Sequence, residues 1–214
     1  MDGFSYSQIA VTLILAARWT LGLTLVAFAG GGLVGLAVLV ARIDERVWLN
    51  RAAKAYIAIF QSTPLLMQLF LVFFGLPLIG IQIEPWMAAG LGLTAYASAY
   101  LADIWRGGVE ALPRGQWEAA AALGLHRLSR LRLITLPQAL RMTLPPAVGF
   151  LVQLVKATAV TSIIGFSELM KAANAINNAT FEPFTVYGIV AGIYFALCFP
   201  LTTYARRLEA KPGR

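Results

Sequence analysis

The chain reads WTLGLTLVAFAGGGLVGLAVLVA over residues 19–41, a run without one charged side chain. An α-helix rises about 1.5 Å per residue, so about 20 apolar residues cross the roughly 30 Å hydrocarbon layer of a bilayer. The run is too long for a strand and shows no alternation of apolar and polar residues. It therefore predicts a membrane-spanning helix.

Four further apolar runs follow along the chain. Residues 55–83, 85–102 and 184–205 contain no charged residue, and residues 142–167 contain only Lys156. These runs predict an all-α membrane protein with five transmembrane helices in a single domain. The approximate spans are 19–41, 55–76, 85–105, 142–165 and 184–205.

The composition excludes an ordinary soluble domain. Of the 214 residues, 59% are hydrophobic and 13% are charged, against roughly 25% charged in typical globular proteins. So few charges could not cover the surface of a soluble domain of this size. The net charge of +7 could suggest a nucleic-acid partner, but the positions of the basic residues argue against one.

The basic residues predict the orientation of the chain. If the gaps between spans are assigned alternately to two sides, one side receives 14 of the 17 basic residues. Positive charge collects on the cytoplasmic side of membrane proteins, so we expect the N-terminus outside and the C-terminus in the cytoplasm. The 14 residues are Arg42, Arg46, Arg51, Lys54, Arg106, Arg114, Arg127, Arg130, Arg132, Arg141, Arg206, Arg207, Lys211 and Arg214.

Three local features modify this plan. The segment before Trp19 is predicted to lie along the membrane surface as a short amphipathic lead-in. Gly31 and Gly35 have the four-residue spacing that lets two membrane helices approach closely. In the second span, Thr63-Pro64 should kink or interrupt the helix, because proline removes a backbone hydrogen bond. Such an interruption lines a transport pathway in some proteins and is a purely structural kink in others.

The polar segment of about residues 106–141 carries its own helical pattern. Pro113 suits the first turn of a helix, and Gly124 suits the left-handed position that ends one. A second helical piece runs from about Arg127 until Pro137 disturbs it. A loop of this length is usually functional. We expect a rigid helix–turn–helix unit on the cytoplasmic surface, available to a soluble partner.

The spacing inside this segment resembles a known signature. Glu118-Ala119-Ala120 is followed after three residues by Gly124, and after nine more by Ile134-Thr135-Leu136-Pro137. This pattern resembles the EAA motif of ABC importer permeases. The polar amino-acid permeases in particular are similar in Ser62-Thr63-Pro64-Leu65-Leu66, Arg106-Gly107-Gly108, Pro113 to Ala120, Leu136 to Leu140, Leu144-Pro145-Pro146, Ile164-Gly165 and Glu168-Leu169.

The resemblance implies a transport subunit without enzymatic activity or a cofactor of its own. Residues 1–214 would form one multi-pass permease domain in a bacterial cytoplasmic (inner) membrane, importing a polar amino acid. The implied partners are a second permease subunit, identical or paralogous, and two ABC ATPase subunits, which would bind ATP and Mg²⁺. An extracytoplasmic amino-acid-binding protein, separate or fused, would deliver the solute.

The resemblance also implies a coupling helix at about residues 113–123, which would contact the ATPase. Glu118 would be the polar contact, Gly124 would permit the turn, and Trp117 would pack against the spans or the partner. The alanines could instead be simple helix-forming residues. The implied coupling residues are Arg114, Gln116, Trp117, Glu118, Ala119, Ala120 and Gly124.

Ionisable residues within membrane spans are functional candidates by default. A zwitterionic amino acid needs a cation near its carboxylate and an anion near its ammonium group, which Lys156 and Glu168 could supply. Alternatively, Lys156 hydrogen-bonds a neighbouring helix and Asp103 pairs with Arg106 one turn away. The substrate-pathway candidates are Lys156, Glu168, Asp103, Thr63 and Pro64.

The chain departs from the family at two of these places. The family commonly has Asp-Thr-Ser-Leu after the lysine, whereas residues 157–160 read Ala-Thr-Ala-Val. Asp103 stands where glutamate is usual. Both differences leave open which solute is carried.

Other function classes fit the sequence less well. The chain lacks a Gly-x-x-x-x-Gly-Lys-Ser/Thr phosphate loop, and His126 and Cys198 are its only histidine and cysteine, so neither a catalytic nor a metal site is predicted. The main rival is a gradient-driven secondary transporter or channel, although we find no internal repeats of the kind such proteins often carry. A permease for an opine or another amino-acid-like solute is the second alternative.

Overall fold

A computed structural model describes residues 5–210, and every regular element in that range is a helix. The first helix, α1 (Tyr6–Arg42), is continuous over 37 residues. The expectation of a separate lead-in on the membrane surface is therefore wrong. No proline or glycine interrupts residues 6–19, and Ile9, Leu13 and Ala17 are buried on one face of the same helix. The lead-in extends α1 because it packs against other helices of the chain.

The helix is interrupted at Thr63-Pro64, as predicted. One side of the break is α2 (Val47–Ser62). The other side consists of α3 (Leu65–Phe70), one π-helical turn (Leu71–Gly75) and the short α4 (Leu76–Leu78). The second side is bent by 107° away from the direction of the first, so α2 does not continue the direction of the helices that follow it.

The long helix α5 (Pro85–Glu110) packs along α1 and is the most enclosed helix of the chain. A Cβ atom added to Gly31 would lie 2.5 Å from the Cβ of Ala97, and one added to Gly35 would lie 2.9 Å from the carbonyl oxygen of Ser98. The predicted close packing at these two glycines is thus present. Gly30 faces Thr94 in the same way, so the two helices run in the same direction and residues 43–84 return the chain between them.

The segment after α5 contains the predicted helix–turn–helix unit. It consists of α6 (Arg114–Ala122), α7 (Arg127–Arg130), a π-helical turn (Leu131–Thr135) and α8 (Leu136–Met142). Pro137 disturbs the helix without ending it. It lies in the first turn of α8, where its missing N–H costs little, and the Leu136 N–H donates to the Leu131 carbonyl across the wide turn.

The C-terminal part completes the bundle with α9 (Leu144–Ala157), a 3₁₀ turn (Thr158–Ser162), α10 (Leu169–Thr180) and α11 (Pro183–Glu209). The apolar core has two parts. The larger surrounds α5, and the smaller joins the N-terminal half of α1 to α10 and α11. The chain therefore folds as one bundle with α5 at its centre.

Within the described residues, three helices are long and apolar enough to cross a membrane: Tyr6–Arg42, Leu144–Ser162 and Pro183–Glu209. A fourth span results if the bent pair Val47–Ser62 and Leu65–Leu78 crosses as one. The predicted third span lies in α5, which has 26 residues. Its buried faces carry many alanines and glycines, which let the surrounding helices approach it closely.

Candidate functional site

The helix α6 exposes several small apolar side chains. Ala119, Ala121 and Ala122 are exposed, and Leu123 directly after them is 78% exposed, whereas Ala120 is buried. Glu118 is also exposed, beside the alanines. Small apolar side chains with one carboxylate form a surface that a partner can approach closely. The side chains of Arg114 and Trp117, two of the predicted coupling residues, lie outside the described part of the structure.

Gly124 ends α6 in the left-handed conformation, with φ at +71°. The Leu125 N–H donates to the Ala120 carbonyl and the Gly124 N–H donates to the Ala121 carbonyl. These two bonds form a Schellman motif, in which glycine is preferred because its φ is positive. The predicted turn is therefore present, and it fixes the direction in which the chain leaves α6.

The surface helix is connected to the core through α8. The Gln138 Nε2 donates to the Gln116 Oε1 at 3.4 Å, which links α6 to α8. On its other side α8 lies against α5, because a Cβ on Gly108 would fall 2.9 Å from the Ala139 carbonyl oxygen and would also meet the side chain of Thr143, directly after α8. The contacts therefore run from α6 through α8 to the central helix.

Asp103 is paired with arginine one turn further along α5. Its carboxylate lies 2.9 Å from Arg106, whose other terminal nitrogen lies 2.6 Å from Glu110. The Gln61 Nε2 donates to the second Asp103 oxygen at 3.4 Å. Arg106 lies directly after the predicted span 85–105. Its hydrogen bond to Glu110 is the main factor that raises the pKa of its guanidinium group. The ion pair named as the alternative for Asp103 is thus present.

The structure does not bring Lys156 and Glu168 together in one open site. Lys156 is exposed on α9, with Gln153 one turn before it, and it forms no hydrogen bond or salt bridge with a described residue. Glu168 is fully enclosed. A solute could reach the Lys156 ammonium group, whereas the Glu168 carboxylate is covered in this conformation.

Glu168 caps α10 and connects three helices. Its Oε1 accepts from the Lys171 backbone N–H at 2.9 Å. Its Oε2 accepts from the hydroxyl groups of Thr20 on α1, at 3.3 Å, and Tyr194 on α11, at 3.4 Å. The Thr20 oxygen in turn accepts from the Leu169 N–H at 3.2 Å. These bonds supply a structural reason for a glutamate here, which sequence reasoning missed because its partners are remote in the chain.

Thr63 and Pro64 lie at the break between α2 and α3. Proline cannot donate to the Phe60 carbonyl four residues earlier, and the Gln68 Nε2 replaces it, at 2.8 Å. The same nitrogen donates to the Thr63 carbonyl at 2.8 Å. The buried Gln68 side chain therefore stabilises the break.

An apolar groove of about 940 Å³ lies near the start of α5, between α1 and residues 165–167. Trp19 and Trp86 line it, and its lining includes none of the five predicted substrate-pathway residues. A second cleft of about 220 Å³ includes Asp103 and Arg106 in its lining.

Comparisons with known proteins identify the family of this chain. The family described as binding-protein-dependent transport system inner membrane component matches residues 33–213. The chain belongs to this family. The chain is similar to the probable amino-acid ABC transporter permease protein YckA of Bacillus subtilis (strain 168), which is 36% identical over 93% of this chain and 88% of that protein. The probable glutamine ABC transporter permease protein GlnM of the same organism is 31% identical over 99% and 92%.

Two solved structures are similar to this chain. A crystal structure of an amino acid ABC transporter with histidines has a TM-score of 0.89 and 32% identity, covering 99% of each chain. The MetNI methionine ABC transporter in an inward-facing conformation has a TM-score of 0.76 over 94% of this chain and 96% of the other, with 23% identity. The second likeness shows the shared fold alone.

Proposed function

We propose that this chain is the membrane permease subunit of an ATP-driven importer of a polar amino acid, and that α6 is its contact with the ATPase. The observation that carries the proposal is the exposed surface of α6, formed by Glu118 and its neighbouring alanines, on a helix fixed to the core. A membrane protein has little reason to present such a surface to water unless a soluble protein covers it.

The contacts of α6 suggest how movement would pass into the membrane. A partner that shifts α6 would also shift α8 through Gln116 and Gln138. Because α8 packs on α5 at Gly108, and α5 packs on α1 at Gly31 and Gly35, the central pair of helices would move with it. The ATP and Mg²⁺ belong to the partner ATPase in this proposal, and no chemical step falls on this chain.

The remaining parts of the proposal follow from family membership and from charge. In this proposal the chain has five spans, with the N-terminus outside and the C-terminus in the cytoplasm, and this orientation would bring α6 to the side where the ATPase lies. The bacterial inner membrane is the proposed location. The proposed partners are a second permease chain, two ATPase subunits and an extracytoplasmic binding protein.

The amino-acid substrate is supported by the relatives and by Lys156. The two relatives described above are named as permeases for an amino acid and for glutamine. The arginine ABC transporter permease protein ArtM of Haemophilus influenzae is 34% identical to this chain. Lys156 places an accessible cation within the predicted fourth span, where a substrate carboxylate could bind. Asp103 and Glu168 are less suited, because their carboxylates already have partners. An opine or a similar solute with a carboxylate would bind the same Lys156 ammonium group.

The proposal is tested by purifying the tagged chain in mild detergent from its native host and identifying the proteins that come with it. We expect an ABC ATPase, and uptake of a polar amino acid into proteoliposomes that requires ATP and the binding protein. Replacing Glu118 with Arg should remove the ATPase, while Glu182→Arg, an exposed carboxylate before α11, should retain it. Uptake by the chain alone, driven by an ion gradient, would establish the rival secondary transporter.

A further inference from the structure

A small charged cleft lies where the end of α1, the helix α2 and the last turns of α5 meet. Its volume is about 220 Å³, and its polar lining consists of Arg42, Lys54, Gln61, Asp103 and Arg106. Three of these side chains are cationic and one is anionic. The cleft therefore has two net positive charges.

Only one of the three cations in the cleft has an acidic partner. Arg106 binds Asp103 and Glu110 through different nitrogens. Arg42 donates its Nη1 to the neutral Asn50 Oδ1 at 3.1 Å. Lys54 is exposed and forms no hydrogen bond or salt bridge with a described residue. Two cations thus face one cleft without a carboxylate partner among residues 5–210.

The position of Arg42 is fixed by the structure. The Asn50 side chain donates its Nδ2 to the Arg42 backbone carbonyl while its Oδ1 accepts from the guanidinium group. The amide therefore holds both the backbone and the side chain of Arg42 at the end of α1. This arrangement holds a cation in a fixed position at the edge of the cleft, as a binding site for an anion requires.

The cleft combines basic and apolar side chains. Ile57 and Ala58 of α2 line it beside Lys54, and Trp48, one turn before Arg51 in the first turn of α2, is 66% exposed. A tryptophan beside basic residues is typical of the headgroup level of a membrane. Basic pockets between membrane helices bind lipid headgroups, and phosphate oxygens accept charge-assisted hydrogen bonds from lysine and arginine.

We propose that this cleft binds the phosphate group of an anionic phospholipid, with Arg42 and Lys54 as the two donors. The acyl chains of that lipid lie along the apolar side chains of Ile57 and Ala58, which border the cleft. The lipid phosphate would be the negatively charged partner that Arg42 and Lys54 do not have among the described residues, and it would hold α2 against α5. The proposal needs only that the chain lies in a membrane, and it stands whether or not the importer function is correct.

The test is native mass spectrometry of the delipidated, detergent-purified protein, with the partners that co-purify, titrated with dioleoyl phosphatidylglycerol. We expect saturation at one tightly bound lipid per chain, with weaker binding of the zwitterionic dioleoyl phosphatidylcholine. Arg42→Gln and Lys54→Gln should each weaken phosphatidylglycerol binding about fivefold. Arg51→Gln is the matched control, an exposed arginine on α2 outside the cleft, and should change binding less than twofold.

Competition identifies the source of the phosphate. Inorganic phosphate in large excess should not displace the lipid, because it lacks the acyl chains. Displacement by inorganic phosphate, or by a free amino acid, would overturn the lipid assignment. Unchanged lipid binding in Lys54→Gln would overturn the site itself. Lys54 is exposed, so this variant is informative even if Arg42→Gln fails to fold.

Discussion

At the scale of single residues, Gly124 is the glycine of the EAA-like spacing, and the backbone at this position has a conformation that favours glycine. Its φ of +71° is unfavourable for residues with a Cβ, and no atom lies within 4 Å of the position where a Cβ would be. Only the backbone conformation, and not crowding, restricts this position. The effect of a substitution should therefore follow the cost of the left-handed conformation.

We expect Gly124→Ala to destabilise the end of α6 by about 1 kcal/mol and to reduce ATPase co-purification. Gly124→Asn should retain most of it, because asparagine tolerates the left-handed region. The measurement is the amount of ATPase recovered per permease chain at matched expression. Equal recovery in the glycine, alanine and asparagine forms would mean that this turn does not position the contact.

A second residue-scale prediction concerns Glu168. Replacing it with Ala leaves the Lys171 N–H and the hydroxyl groups of Thr20 and Tyr194 without their acceptor. An unsatisfied buried polar group costs about 1–3 kcal/mol, so the detergent-solubilised protein should unfold at a clearly lower temperature. Glu182→Ala, at an exposed position, is the control. A structural role also predicts that Glu168→Gln retains the substrate preference of the parent, whereas a direct ligand of the substrate would change it.

At the scale of helices, the contact between α1 and α5 depends on glycine at closely packed positions. A Cβ on Gly31 would lie 2.5 Å from Ala97, whereas none of the surrounding atoms lies within 4 Å of a Cβ on Gly22. Gly31→Ala should therefore cost about 1–3 kcal/mol, and Gly22→Ala should be nearly neutral. Thermal unfolding followed by size-exclusion chromatography checks both. Adding Ala97→Gly to Gly31→Ala should restore part of the stability, because the added Cβ would still lie 3.1 Å from backbone atoms of Ala97 and Ser98.

The break between α2 and α3 is the second prediction at this scale. Gln68→Leu removes the donor to the Phe60 and Thr63 carbonyls, and we expect a loss of about 2 kcal/mol or more. Gln153→Leu, at an exposed position of α9, should not destabilise the protein. If Gln68→Leu is as stable as the parent, water or a partner chain must satisfy these carbonyls.

At the scale of the whole molecule, the orientation of the chain can be measured with single cysteines. Cys198 is the only native cysteine, so Cys198→Ser provides a clean background. Glu118→Cys should react with a membrane-impermeant maleimide only in inside-out vesicles, and Gln82→Cys, in the exposed segment before α5, only in intact cells with a permeable outer barrier. The reverse pattern would place α6 outside and exclude a cytoplasmic ATPase contact.

Much of the architecture could be predicted because it depends on local properties. The apolar runs, the break at Pro64 and the helix end at Gly124 each follow from the chemistry of a few neighbouring residues. The helix boundaries were less accurate. The lead-in before Trp19 belongs to α1, since the burial of Ile9 and Leu13 against α10 and α11 depends on helices more than 150 residues away in the chain.

The amino-acid sequence was sufficient for the helical membrane class and the family, because hydropathy and motif spacing are properties of the chain written out in order. The roles of individual polar residues depended on folding. Glu168 meets Thr20 and Tyr194, Gln116 meets Gln138, and Arg42 and Lys54 share one cleft. Hydrogen bonds and charges act over a few ångströms, so the meaning of such a residue is decided by neighbours that the order of the sequence does not reveal.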